Sequence, residues 1–408
     1  MCRRLRDTAQ YYRRAFDRVV SSFRLIKTCP RSQARAGELT TRHGAVATPV
    51  FLPVGSQGAV KTLTPEEVKA LGMNMVLANT YHLYLRPGIS VIKKAGGLHK
   101  FMGWEGAILT DSGGYQVFSL APLRRVSDEG VNFRSHIDGS QHHLSPELVI
   151  RHQEALGADI IMALDECPAH DDSPDKVKRA AERTHKWAER CRKAQKRRDQ
   201  ALYAIVQGGV IPELRRQSAE YLASLDFPGY AIGGLSIGEP KEVTLSMVEE
   251  TVAFLPEDKP RYLMGVGSPE DIVEAVARGC DIFDSALPTR VARNGALFTW
   301  QGRRNISNAV YSRMEQPVVA DCDCYTCRNF SAAYLHHLFN CGELLAYRLA
   351  TIHNLSFIGQ LMTKIKSAIL DGTFPSFKDK FLAGYRSTDE RVRLSQKRKW
   401  LEKRNLGS

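Results

Sequence analysis

The chain has 408 residues, 43% of them apolar and 25% charged, with a formal net charge of +13. This composition provides for a sizeable core and excludes a globally disordered chain, and no stretch of 18 apolar residues exists to form a membrane-spanning helix. The charge points to a polyanionic partner but is unevenly placed. Residues 1–35 hold ten Lys/Arg against two Asp/Glu and residues 361–408 hold twelve against five, so the body between them is near neutral.

In chain order, residues 1–22 read as a basic extension. The segment is Arg-rich like an organelle transit peptide, but Asp7 and Asp17 argue against one. Nine cysteines, an odd number with no secretory leader before them, indicate a reducing, cytoplasmic setting. Short apolar runs then recur, each ending in glycine or a polar residue: NMVLANTYH, GAILTDSGG, ADIIMALDE, ALYAIVQGG, GYAIGGLS, RYLMGVGS and CDIFDSALPT. Unbroken apolar runs suit strands buried on both faces of a parallel sheet. Helical patterns lie between several of them, in SPELVIRHQEALG, SPDKVKRAAERTHKWAERCRKA and SPEDIVEAVARG. Each opens with a serine at the N-cap and a proline at the first helical position.

Such alternation yields a closed (β/α)8 barrel or an open doubly wound sheet. The run ends favour the barrel. Asn79, Asp111, Asp165, Gln207, Gly233, Gly234, Gly265 and Asp284 all stand where a strand finishes, and in a barrel those ends converge on one mouth. An open sheet usually carries a Gly-rich phosphate loop after its first strand, and no such loop follows here.

Two constellations carry chemistry. Asp111 in LTDSGGYQ, Asp165 in ALDECP and Asp284 in FDSALPTR are strand-end carboxylates. Singly, each is most simply a cap for the next helix. Three at one mouth can divide the work at a glycosidic carbon between a nucleophile and an acid/base, while the third accepts N–H groups of a substrate. The residues alone do not say which does which. Cys322, Cys324 and Cys327, in DCDCYTCRNF, can wrap one Zn²⁺, with the fourth ligand among His336, His337, Cys341 and His353. A site with four protein ligands is structural.

Together these motifs resemble the tRNA-guanine transglycosylases (queuine tRNA-ribosyltransferases). The resemblance runs from about Phe23 to about Arg386 through TPVFLPVGSQG, NTYHLYLRPG, LTDSGGYQVFSL, FRSHIDGS, ALDEC, IVQGG, AIGGLSIGE, YLMGVG, FDSALPTRVARNG and CDCYTCRNF. It implies a (β/α)8 barrel over 23–386 with a zinc subdomain at about 300–360, a basic tail over 387–408, and a homodimer. It also implies exchange of guanine at the anticodon wobble position of a tRNA with a GUN anticodon for a 7-substituted 7-deazaguanine. Carried over residue by residue, Asp284 resembles the nucleophile and Asp111 the general acid/base. Asp165, Gln207, Gly234, Leu235, Ser112 and Asn79 resemble the polar and backbone surround of the base, with Tyr115 and Met264 sandwiching it. His353 resembles the fourth zinc ligand. Ile237 stands where relatives that take queuine carry glycine and relatives that take the smaller 7-aminomethyl-7-deazaguanine (preQ1) carry a β-branched residue, which implies preQ1. Arg290 and Arg293 are expected to touch the anticodon loop. The short tail leaves no room for the extra RNA-binding domains of archaeal relatives. Retention of Asp111 and Asp284 argues against a non-catalytic subunit, and the thiolate-rich cluster beyond the last strand argues against a zinc hydrolase. Three aspartates at the mouth are ill suited to a scaffold that merely holds phosphates.

Overall fold

The structure, a computed structural model, describes residues 22–120, 123–389 and 395. The basic extension and tail read from the sequence therefore lie almost wholly outside the described residues. Eight parallel strands form the centre: β1 (Val50–Pro53), β2 (Met75–Ala78), β3 (Ala107–Thr110), β4 (Ile160–Met162), β5 (Ala201–Val206), β6 (Tyr230–Ile232), β7 (Arg261–Leu263) and β8 (Ile282–Ser285). From β2 to β8 each pairs with the next, and β8 returns to β1 with Phe283 opposite Phe51. A parallel bridge between Val54 and Leu77, with Gly55 N donating to Leu77 O at 2.7 Å, joins β1 to β2 and closes the ring. The expected (β/α)8 barrel is present.

Seven of the strands coincide with the apolar runs. The eighth, β1, is bracketed by Pro49 and Pro53, which breaks up the apolar run that marks the others. Pro49 precedes the strand and Pro53 ends it, so neither interrupts the ladder.

Alternation along the strands explains their apolar character on both faces. Met75, Leu77, Leu109, Ile160, Met162, Tyr203 and Ile205 fill the barrel interior. Val76, Ile108, Ile161, Leu202, Ala204, Val206 and Phe283 face outward and pack under the helices. Of the three Ser-Pro helix starts, only Ser145 makes the side-chain cap, to Leu148 N at 3.3 Å. Ser173 makes none, and the Ser268 hydroxyl turns instead to the Asp271 carboxylate.

An antiparallel sheet (Ser22–Thr28, Arg35–Thr41, Gly44–Thr48) covers the N-terminal end of the barrel, with Leu39 and Val46 joining the interior core. A second (Arg124–Ser127, Gly130–Arg134, Gln141–Leu144) is inserted between β3 and β4. It is pinned to the helix Thr80–Leu85 by Tyr81–His136 and Tyr84–His142 hydrogen bonds, both 2.8 Å.

Beyond β8, residues 292–350 build a small core of their own from Leu297, Ile306, Leu335, Leu338 and Leu349. The helix Leu344–Leu370 belongs to both bodies. Its first part packs in this small core, and Leu355, Ile358, Leu361 and Ile365 pack on the barrel. No helix among the described residues is long and apolar enough to cross a membrane.

Candidate active site

The C-terminal ends of the strands bring the three predicted aspartates to one mouth. Asp111, directly after β3, is buried. Its Oδ1 accepts from Thr80 N at 2.8 Å and its Oδ2 from the Asn79 amide, while its own carbonyl accepts from Thr80 Oγ1 at 2.5 Å. The end of β2 thus grips the end of β3. Burial pushes the Asp111 pKa up to about 7; the Asn79 and Thr80 hydrogen bonds pull against this, and the charge of Asp284 adds to it.

Asp165, after β4, is also buried and accepts from Ser112 Oγ at 3.0 Å and from Gln207 Nε2 at 2.7 Å. Burial raises its pKa to about 6 against those two donors. Asp284, within β8, is half-buried, and its Oδ1 accepts from Tyr262 Oη at 2.5 Å and Gly265 N at 2.9 Å. Its pKa is also raised by burial, with Tyr262 and Gly265 opposing. All three carboxylates are held by neutral donors alone. Among the described residues, none has a Lys or Arg partner at ion-pair distance.

The remaining predicted residues surround them. Ser112 and Asn79 make the bonds just described. Gln207 is fully buried, and its Oε1 lacks a partner. Gly234 follows β6 with φ +66°, and a side chain there would strike the Gln207 amide, so only glycine fits. Leu235 is buried beside it. Tyr115, after β3, is partly exposed and Met264, after β7, is half-buried. They stand on walls four strands apart around an eight-stranded ring. Ile237 is half-buried on the loop after β6. Arg290 and Arg293 lie on the helix Leu287–Arg293 just beyond Asp284; Arg290 is exposed and Arg293 half-buried. Burial and the neighbouring Arg290 charge lower the Arg293 pKa, and neither forms an ion pair among the described residues.

The metal-ligating group assembles as well. Sγ of Cys322, Cys324 and Cys327 lies 3.7, 3.5 and 3.3 Å from His353 Nδ1. Bonds of about 2.3 Å to sulfur and about 2.0–2.1 Å to nitrogen give a tetrahedral edge of roughly 3.6 Å, so this donor set fits a tetrahedral ion. His353 Nε2 lies 2.8 Å from Phe298 O, the outer contact that orients a ligating imidazole. His336 has both ring nitrogens engaged, with Ile306 O at 2.7 Å and Asn340 Nδ2 at 2.8 Å, and the exposed Cys341 lies against His337. Of the four candidates, His353 alone joins the thiolates.

Comparison with known proteins shows the family. The family model for queuine tRNA-ribosyltransferase matches residues 29–387. The chain belongs to the queuine tRNA-ribosyltransferase family. Its similarity to a curated queuine tRNA-ribosyltransferase of Dehalococcoides mccartyi is 62% identity over 94% of this chain and 98% of the relative. Those of Moorella thermoacetica and Thermoanaerobacter pseudethanolicus are 56% and 55% identical, each over 90% of this chain and 98% of the relative. Membership makes the chain a tRNA-guanine transglycosylase, a pentosyltransferase.

At this mouth, several further residues hold the predicted ones through hydrogen bonds and were not identified from the sequence. Tyr262 orients Asp284, and Thr80 holds Asp111. Glu239 orders the loop carrying Ile237 by accepting from Ile237 N and Gly238 N, both at 3.0 Å, and from Thr244 Oγ1 at 2.6 Å. Arg215 is buried beneath Gly233. Tyr262, Thr80 and Glu239 show in the sequence only as polar residues inside or beside a motif, and Arg215 only as one of several charged residues on a helix, signals that many structural positions share.

Proposed function

We propose that the chain exchanges guanine at the wobble position of a tRNA with a GUN anticodon for 7-aminomethyl-7-deazaguanine, by two displacements through a covalent aspartyl-ribosyl intermediate. The observation that carries this reading is the set of three carboxylates at one mouth, held by neutral donors and poised above their ordinary pKa range.

Both hydrogen bonds to Asp284 fall on Oδ1, which leaves Oδ2 to attack the ribose anomeric carbon. The bond to guanine N9 breaks as Asp111, near pKa 7, delivers a proton to that nitrogen. The incoming base then gives its N9 proton to Asp111 and displaces the Asp284 ester, so the configuration is retained. Asp165 is an acceptor with room beyond Ser112 and Gln207 for the base's N1–H and amino group. The Gly234 N–H and the second Gln207 amide hydrogen serve the exocyclic oxygen. Tyr115 and Met264, from opposite walls, cover the two faces of the base. Ile237, a stiff β-branched residue, restricts the space for a larger 7-substituent.

Arg290 and Arg293, which form no ion pair among the described residues, offer charge next to Asp284 for the anticodon loop. The Cys3His group holds one structural Zn²⁺, which serves the fold and takes no part in the exchange. Asn354, next to His353, supports that assignment: its Nδ2 donates to Pro288 O and Ala296 O at 3.0 Å each, and its Oδ1 accepts from Phe298 N at 2.9 Å. Metal site and arginine helix are thereby tied. The exposed Tyr325, Tyr334 and Leu344 on the subdomain support a homodimer through that face, and the odd number of cysteines, a sign of a reducing setting, supports a cytoplasmic protein.

Radiolabelled guanine is expected to enter unmodified tRNA, and the aminomethyl base to compete far better than free queuine. No exchange, or equal competition by queuine, contradicts the respective half of the proposal. Zinc analysis should find about one ion per chain, lost in His353→Ala and kept in His336→Ala.

A further inference from the structure

Arg215 lies on the helix Pro212–Ser224 that follows β5, and its side chain is completely buried. A buried guanidinium is ordinarily matched by a carboxylate. Here its three hydrogen bonds all go to main-chain carbonyls: Nε to Gly209 O at 2.8 Å, Nη1 to Val206 O at 3.3 Å and Nη2 to Gly233 O at 2.8 Å. Burial pushes its pKa down to about 10 while the charge of Glu239, which is not among its three hydrogen-bond partners, acts the other way, so it stays charged at neutral pH. An apolar side chain of similar volume would fill the space but take the donor away from the buried Gly209 and Gly233 carbonyls. The guanidinium is thus to be read through the carbonyls it holds.

The carbonyls it holds belong to the ends of two neighbouring strands, β5 and β6, which present Gln207 and Gly234 to the mouth. In a trans peptide the carbonyl and the next N–H point in opposite directions. Turning the Gly233 carbonyl outward onto Arg215 aims the Gly234 N–H inward. Two successive glycines have unusually wide conformational freedom, and a planar fork reaching three carbonyls removes it in a way that a lysine ammonium does not.

We propose that Arg215 is a positioning residue that fixes the Gly233–Gly234 peptide so that the Gly234 N–H reads the exocyclic oxygen of the purine. The inference rests on the base-reading role proposed above for Gly234. It assigns Arg215 a part in base selection without contact to the base.

The test compares binding of guanine with binding of 2-aminopurine, which lacks that oxygen, to the full-length chain and to Arg215→Lys and Arg215→Met. Arg215→Lys keeps the charge and most of the stem, so it provides a folded variant if Arg215→Met does not. The wild type should prefer guanine, and both variants should narrow the preference about ten-fold by weakening guanine alone. The share of the preference due to Asp165 and the N1–H should remain. In exchange assays the KM for guanine should rise while kcat holds. Equal weakening of both ligands, as loss of packing would give, or an undiminished preference overturns the role of Arg215. A wild type with no preference overturns the base-reading proposal beneath it, and the two failures are thereby told apart.

Discussion

The two ends of the barrel treat buried carboxylates in opposite ways. At the N-terminal floor, Asp281 is chelated by Arg35, with Nε to Oδ1 at 2.9 Å and Nη2 to Oδ2 at 2.5 Å, and also accepts from Arg261 N at 2.7 Å. Asp159 accepts from His43 Nδ1 at 2.7 Å and Ile108 N at 2.8 Å, with His99 Nε2 3.4 Å away. At the C-terminal mouth, Asp111, Asp165 and Asp284 have, among the described residues, only neutral donors. Complete burial raises the Asp281 pKa as it does at the mouth, so the direction of a shift does not by itself mark function. The partner does: a chelated carboxylate is fixed and spent on the fold, whereas one with free lone pairs and no counter-charge is available to a substrate.

Substitutions at the two ends should therefore separate rate from stability. At the mouth, Asp111→Asn should lower kcat by about 10²- to 10⁴-fold while the melting temperature holds or rises. At the floor, Arg35→Met strands Asp281 without its partner and should cost about 3–5 kcal/mol, with activity per folded molecule retained. A thermal melt paired with an exchange assay reads both, and the reverse pattern would break the comparison.

Next in size is the pH dependence of stability. Asp111 has a folded pKa of about 7 against an ordinary 3.8, so the folded state binds the extra proton and stability falls as pH rises from about 4 to about 7. Asp159 is the opposite case: held near 2, below its ordinary 3.8, chiefly by His43 and His99 against the effect of burial, it adds stability that is lost as pH drops below about 4. Asp111→Asn should make the fall over the upper window shallower, above all between about 6 and 7, where Asp165, raised to about 6, no longer contributes. Asp159→Asn should make only the lower window shallower, both as read by denaturant midpoints across pH. The smallest effect concerns the charges just outside the mouth. Arg290→Ala and Arg293→Ala should each weaken tRNA binding and reduce the salt slope by about one, leaving melting temperature and base preference unchanged.

The barrel was legible because its strands are buried on both faces and announce themselves as apolar runs, and because the polar residue ending each run marks the mouth. β1 escaped since its flanking prolines break up the apolar run. The inserted sheet escaped because RRVS, GVNFR and QHHL combine too few apolar residues with exposed polar ones. The three thiolates stood out by spacing, but spacing left four candidates for the fourth ligand; the family resemblance pointed to His353, and the fold brings that residue, distant in sequence, against the three sulfurs. Tyr262, Thr80, Glu239 and Arg215 were illegible for a physical reason. Each acts through a hydrogen bond to a group remote in sequence or to main chain, and neither leaves a pattern of residue types.

The central claim is that Asp284 becomes covalently joined to ribose while Asp111 carries the proton. Its most direct test mixes enzyme with unmodified tRNA, omits the incoming base, quenches in denaturant and maps the cross-linked peptide. The account predicts a ribose ester on Asp284 in the wild type and no adduct in Asp284→Asn. An adduct mapped to any other side chain, or one that survives in Asp284→Asn, would contradict it.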